Sequence, residues 1–262
     1  MSFDEMLGRA KSLKIRTKMM LLGVGMILLT ALIIMIVGIW QGSKFSGRAH
    51  SETEKLIDAD LIHITENIYG LIKAQDESIQ QKVNHDLNVA NYVLHQQGKA
   101  HLSSESIAWT AINQFTHASF ELNLPKMMVG QTWLGHNRTM DIKTPVVDEV
   151  KSLVGGTATI FQRMNKAGDM LRVATNVKQM DGTRAIGTYI PVVNPDGTPN
   201  PVISAVMKGE TYRGNAFVVN AWYVTAYEPI HSYDGAIIGM LYVGVKHENV
   251  ASLREAISQV RI

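Results

Sequence analysis

The chain contains no cysteine. That excludes disulfides, thiolate metal sites and cysteine nucleophiles. It also lacks a surplus of charge of either sign: 25 Lys and Arg face 23 Asp and Glu, a net charge of +2. The positive excess lies in the first 48 residues, with 7 Lys and Arg against 2 Asp and Glu, and the rest is close to neutral, with 18 against 21, so no nucleic-acid footprint is present. The short motifs that carry common chemistry are missing too. There is no G-x-S-x-G, no H-E-x-x-H, no P-loop and no G-x-G-x-x-G. The nine histidines are scattered and form no close pair at ligand spacing. His231 and Asp234 come nearest, in a turn that water accounts for. The expectation is a non-enzymatic protein with no cofactor and no metal.

Charge and proline are also absent from one long stretch. Met19 to Trp40 reads MMLLGVGMILLTALIIMIVGIW. About twenty apolar residues suffice to cross a hydrocarbon core roughly 30 Å thick. The run exceeds the apolar region of a secretory signal, and QGSKFSGRA after it offers no A-x-A cleavage pattern. It is apolar all round, unlike the helix of a soluble protein. Arg9, Lys11, Lys14, Arg16 and Lys18 precede it; only Lys44 and Arg48 follow closely, and Glu52, Glu54, Asp58 and Asp60 come soon after. Basic residues stay in the cytoplasm, so residues 1–18 form a cytoplasmic basic stub. Residues 19–40 are then the transmembrane helix in the lipid bilayer, and the rest is periplasmic. Trp40 is placed as an interfacial anchor.

Residues 41–98 read as a membrane-proximal and sensor N-terminal helix. Ile64, Ile68, Leu71, Ile72, Ile79, Val83, Leu87, Ala90 and Leu94 recur at three- and four-residue steps. Glu66, Lys73, Asp76, Glu77, Lys82 and Asp86 make the solvated face. Gly42 and Gly47 offer a loose joint to the membrane helix, and Gly98 ends the pattern. The second half of the stripe predicts core packing. The first half predicts packing against a partner chain, hence a homodimer.

Residues 99–247 read as one α+β domain: a PAS-like antiparallel sheet of about five strands with short helices. Ser103–Thr116 is expected to be a short helix and Leu134–Pro145 a loop or edge. Thr144-Pro145-Val146-Val147-Asp148-Glu149 reads as a helix start and Gly155-Gly156 as its stop. Strands are predicted at Thr157–Met164, Met170–Val177, Ala216–Asn220, Ala221–Ile230 and Ala236–Lys246. Turns fall at 165–169, 181–182, 194–197 and 232–235, and a short helix at Val202–Lys208. Residues 248–262 read as the start of a connecting helix at which the chain is truncated.

Several strands carry polar residues where apolar ones are expected. Arg172 and Asn176 should share one face. Tyr223, Thr225 and Tyr227 should share another, with Trp222 and Val224 opposite. Arg163, Arg184, Arg213 and Asn220 lie near strand ends. Arginine takes a carboxylate in a two-pronged way, and tyrosines add ring walls and hydroxyls. The candidate ligand residues are Arg172, Asn176, Arg213, Tyr223, Thr225 and Tyr227. A face merely open to water is the competing explanation, and Arg163 and Arg184 read equally as solvated strand ends.

These segments resemble a known family. Ser12-Leu13-Lys14-Ile15-Arg16-Thr17-Lys18 before the apolar run is similar to the start of a bacterial methyl-accepting chemotaxis protein. Gly155–Phe161, Met170–Val177, Arg184–Ile190, Gly209–Gly214, Val218–Pro229 and Gly239–Val245 resemble extracytoplasmic Cache sensors of the fused Cache 3–Cache 2 type. The resemblance implies a PAS-like sheet on a long helix. It implies sensing of a small ligand, an organic acid favoured, and signalling through the inner membrane by helix displacement. Some double Cache sensors for amino acids place an arginine just before a Trp-Tyr pair. Here Asn220-Ala221 precede Trp222-Tyr223, which argues against amino acids. The family also implies a second Cache lobe, a second membrane helix, a HAMP segment and a signalling hairpin. A histidine kinase or cyclic-nucleotide enzyme is the alternative output. A tethered binding protein without output, or a membrane anchor, is the other reading.

Overall fold

A computed structural model describes residues 14–246. Most of the basic stub, residues 1–13, and the expected connecting helix, residues 248–262, lie outside the described residues. The chain divides into two compact units, residues 1–69 and 70–262.

The first unit, where described, is helical throughout and belongs to helix α1 (Ile15–Gln96). Its Ile15–Phe45 segment is long and apolar enough to cross a membrane. Its apolar side chains have no protein neighbours to cover them: Met19, Ile27, Ile34 and Trp40 are all exposed. Lys44 lies 3.8 Å from the centre of the Trp40 ring. The helix runs through Gly42 and Gly47 without a break, so the loose joint expected there is absent. Two isolated glycines weaken a helix by about 1 kcal/mol each and need not interrupt one this long.

The second unit begins with the end of α1 and continues as a sheet. The strands are β1 (Ala100–Asn113), β2 (Ser119–Val129), β3 (Thr132–Trp133), β4 (Thr157–Arg163), β5 (Met170–Thr175), β6 (Thr188–Ile190), β7 (Tyr212–Val218), β8 (Ala221–His231) and β9 (Ile237–Lys246). They form one sheet in the order β3-β2-β1-β6-β5-β4-β9-β8-β7. Pairing is antiparallel except between β1 and β6. The α+β class holds, with nine strands rather than five. The five expected strands are neighbours, β5-β4-β9-β8-β7; the four unexpected ones extend the sheet past β5.

Ser103–Thr116 is therefore mostly strand, not helix. The β1–β2 register shifts between Leu102 and Ser106. Ala100 and Leu102 continue one phase of alternation; Ile107, Trp109 and Ala111 take up the other. In β2 the phase likewise changes across Pro125, from Leu122 and Leu124 to Met127 and Val129. A bulge of this kind reverses which residues face the core. It cuts a period-two signal into pieces too short to recognise.

Two cores cover the two faces of the sheet. Val83, Leu87, Ala90, Val93 and Leu94 of α1 pack on one face with α2 (Val147–Val154), Ile160, Leu171, Val224 and Leu241. Phe161, Met170, Tyr223, Tyr227, Met240 and Tyr242 pack on the other, under α3 (Pro201–Val206). Neighbouring residues such as Met170 and Leu171 belong to opposite cores, as the pleat requires. Asp86, expected on the solvated face, is buried; Lys82 Nζ reaches both its carboxylate oxygens at 3.0 and 2.7 Å.

The ends of the elements follow local chemistry. Asn200 caps α3, its side chain accepting from the Val202 and Ile203 amides. Gly155, left-handed at φ 73°, closes α2 as expected. The start of α2 is different. The helix begins at Val147, after Val146 at φ 66°, and no side chain caps it. Asp148 instead accepts from the Thr144 amide at 2.7 Å. Gly98 ends α1 at φ 118°, where a Cβ would lie 2.6 Å from Gly130 Cα.

Candidate functional site

Among the described residues two arginines are completely buried, Arg172 and Arg184, and they differ in what they bond. Arg184 uses all its donors. Nε donates to Thr139 O at 2.7 Å, Nη1 to Asp148 Oδ1 at 2.9 Å and Thr175 O at 2.8 Å. Nη2 donates to Ile142 O at 3.0 Å and Asp148 Oδ2 at 2.6 Å. This two-pronged ion pair ties the loop before α2 to the sheet. Arg184 is thus not the solvated strand end expected, and it has nothing left for a ligand.

Arg172 is the opposite case. It lies on β5 beneath the α3-side core. Nη1 donates to Thr188 Oγ1, while Nε and Nη2 have no partner. The guanidinium carbon sits 4.8 Å from the centre of the Phe161 ring. Among the described residues no carboxylate makes an ion pair with it. Burial pushes Arg172 down to about 10, and the hydroxyls of Tyr227, Tyr242 and Tyr223 draw it partly back. It therefore remains a cation at neutral pH. A buried cation with idle donors costs several kcal/mol unless something binds it.

The tyrosines complete the surroundings. Tyr227 is fully buried, and its hydroxyl also lacks a partner. Its ring is 6.2 Å from Phe161, 4.9 Å from Tyr242 and 6.1 Å from Tyr212. Burial raises the Tyr227 hydroxyl strongly, and the nearby Arg172 cation opposes that rise. Tyr242 is raised well above its ordinary value by burial, although its hydroxyl lies 3.0 Å from Thr157 Oγ1.

Beside this cluster opens a cleft of about 400 Å³. Tyr227 is shared: it forms part of the cleft wall and bears on Arg172. Phe115, Tyr212, Phe217 and Trp222 supply further aromatic walls, and Ile190 and Val202 are among the remaining apolar lining. The volume falls in the range of small-molecule sites.

The structure unites three of the six expected ligand residues: Arg172, Tyr223 and Tyr227. Thr225 lies on the same face, but its hydroxyl donates to Gly214 O at 2.8 Å. Asn176 is elsewhere. The β4–β5 register shifts between Ile160 and Phe161, opposite Ala174 and Arg172, so the alternation linking Arg172 to Asn176 is lost. The Asn176 side chain instead joins the Ala158 amide at 2.8 Å to Val147 O at 2.7 Å. Arg213 is exposed and donates to Asn84 Oδ1 of α1 at 3.0 Å. Arg163 binds the carbonyls of Asn165 and Lys166 in its own turn. Trp222, expected opposite Tyr227, lines the same cleft. Phe161, Thr188 and Tyr242 are additional site residues. Tyr242 is visible by alternation from Met240; Phe161 and Thr188 meet Arg172 only through strand pairing and side-chain reach.

A family model described as the Cache 3/Cache 2 fusion domain matches residues 46–262. No curated protein matches the chain.

Proposed function

The chain belongs to the Cache 3/Cache 2 fusion family, an extracytoplasmic small-molecule-sensing module, and from that premise we propose that it is the membrane-anchored sensor of a bacterial chemoreceptor. In this reading Met19–Trp40 spans the inner membrane with the N-terminus in the cytoplasm, because five of the seven flanking cations (Arg9, Lys11, Lys14, Arg16 and Lys18 against Lys44 and Arg48) precede the span. The sheet then lies in the periplasm. Ligand binding is passed on by displacement of α1. Ile57, Leu61, Ile64 and Ile68, spaced four, three and four apart, form a seam for a second copy of the chain.

The ligand is a small organic anion, and Arg172 is its anchor. The observation that carries this is the guanidinium itself. It is fully buried, has no carboxylate partner, and leaves Nε and Nη2 unbonded beside the unbonded Tyr227 hydroxyl. An incoming carboxylate would accept from those donors in the geometry that arginine favours.

The test is a thermal-melting series on the full chain in detergent, with acetate, succinate, benzoate and their amides as probes. A carboxylate that binds should raise the melting point by mass action, about 2.7 kcal/mol at a hundredfold excess over Kd. Its amide should not, and Arg172→Met should abolish the rise. Equal stabilisation of the wild type and Arg172→Met by the same acid would overturn the assignment.

A further inference from the structure

Gln114 lies just beyond β1 and is almost completely buried. Its backbone amide is held by Tyr189 O at 3.1 Å, and its side-chain Oε1 has no partner. It lines the same cleft as Tyr227. That cleft therefore holds two buried, unbonded polar atoms, Gln114 Oε1 and the Tyr227 hydroxyl. Its neighbouring polar groups are engaged. Asn200 caps α3 and donates to Asn194 Oδ1 at 2.8 Å. The Asp196 carboxylate accepts from the amide and hydroxyl of Thr198 at 2.9 and 2.6 Å.

The walls between these atoms are aromatic. Phe115 stacks with Phe217 at 6.4 Å and 25°, and Phe217 meets Trp222 edge-on at 5.9 Å and 72°. Rings in such a lining prefer to receive another ring.

The cleft and Arg172 are successive positions on one sheet face. Thr188, which accepts from Arg172, and Ile190, which lines the cleft, are two residues apart on β6. Met170, paired with Ile190, precedes Arg172 by the same step on β5. Charge is sparse. The groups that bear on Arg172 are tyrosines, with no carboxylate among them. Among the described residues the one charged residue lining the cleft is Asp196. Asp196 is exposed, so an ammonium would gain only a solvent-screened partner there, while a second carboxylate would face Asp196 instead of a cation.

Building on the reading of Arg172 as an anion anchor, on which this rests, we infer that the ligand is a hydroxylated aromatic monocarboxylate. Its carboxylate accepts from Arg172 and Tyr227. Its ring lies among Phe115, Phe217 and Trp222, and its ring hydroxyl donates to Gln114 Oε1.

Calorimetry on the full chain in detergent tests this with 4-hydroxybenzoate, benzoate, propionate, phenol and tyrosine, alongside tryptophan fluorescence. The expected result is saturable binding of 4-hydroxybenzoate that quenches emission from Trp222. Benzoate should bind about tenfold more weakly, one buried hydrogen bond being lost. Tyrosine and phenol should be weaker still, the first for its ammonium and the second for its missing carboxylate. Gln114→Leu should equalise 4-hydroxybenzoate and benzoate, and Tyr227→Phe should weaken both. Tyrosine binding as tightly as 4-hydroxybenzoate would refute the charge argument. Propionate binding as tightly as 4-hydroxybenzoate, untouched by Gln114→Leu or Phe217→Ala, would remove the cleft from the site and leave the Arg172 anchor standing. Failure of every carboxylate to bind would remove both.

Discussion

Replacing Arg172 with methionine keeps much of the side-chain volume and removes the charge. The unliganded protein should then become more stable, against the usual direction for a core substitution. Nε and Nη2 lack partners, and each unsatisfied buried donor costs about 1–3 kcal/mol. Against that relief stands the bond from Nη1 to Thr188, about 1.5–3 kcal/mol for a charged donor. The contact with Phe161 adds up to about 2 kcal/mol. Thr188 is not orphaned by the change, since its hydroxyl donates to Ala185 O at 2.9 Å. With the apolar gain of the methionine tip, the balance is a stabilisation of about 1 kcal/mol. For a unit of this size that is a melting-point rise of about 2–4 °C. Differential scanning calorimetry of the full chain without ligand reads it directly. Loss of more than about 2 kcal/mol in Arg172→Met would mean that the guanidinium holds the fold together. The ligand-anchor argument would then fail.

Arg184→Met should behave in the opposite way, losing about 3–5 kcal/mol in the same scan. It strands the Asp148 carboxylate and three carbonyls that the guanidinium now satisfies. Gly98→Ala should cost about 2–4 kcal/mol, because φ 118° is strained for alanine and its Cβ would sit 2.6 Å from Gly130 Cα; chemical denaturation measures this. Stability should also fall at alkaline pH. Tyr227 and Tyr242 are raised in the folded state above the 10.0 of the free phenol. Their contribution is complete below pH 10 and is lost as pH rises toward their folded values, where the unfolded chain releases protons that the folded one retains. Arg172, held down to about 10, acts in the opposite sense above that pH, but the two tyrosines outweigh one arginine, so melting curves between pH 8 and 11.5 should show a net fall, and Tyr242→Phe should make it shallower. Asn200→Ala should cost about 1 kcal/mol by uncapping α3, visible as a lower denaturation midpoint.

Legibility along the chain follows the length and regularity of each pattern. Strands β4, β5, β8 and β9 lie within about two residues of where the alternation and the Gly, Asp and Asn turns put them, whereas β7, expected at Ala216–Asn220, runs instead from Tyr212 to Val218. Gly98 and Gly155 mark helix ends for the same local reason. β1 and β2 do not show themselves, because the register shift in their shared ladder, between Leu102 and Ser106 of β1 and beside Pro125 of β2, reverses the alternation midway in both. β6 is three residues long, too short to carry a period. The candidate site divides in the same way. Tyr223 and Tyr227 share a face by simple counting. Arg172 and Asn176 do not, because counting fails across the bulge at Ile160 and Phe161.

From sequence alone came the apolar span, the long helix, the α+β class, the resemblance to Cache sensors and the choice of Arg172 as a residue to watch. All of these rest on local periodicity, composition or short motifs, which the chain carries wherever it folds. Tertiary structure alone decided which arginine is free. In the sequence both are single arginines beside apolar residues, Arg172 inside the expected Met170–Val177 strand and Arg184 near a strand end. One meets Asp148 and three carbonyls brought from loops and strands far along the chain; the other meets a threonine, a phenylalanine ring and tyrosines. The spending of a donor depends on which acceptors the fold carries within about 3 Å of it, and strand order and register set that distance.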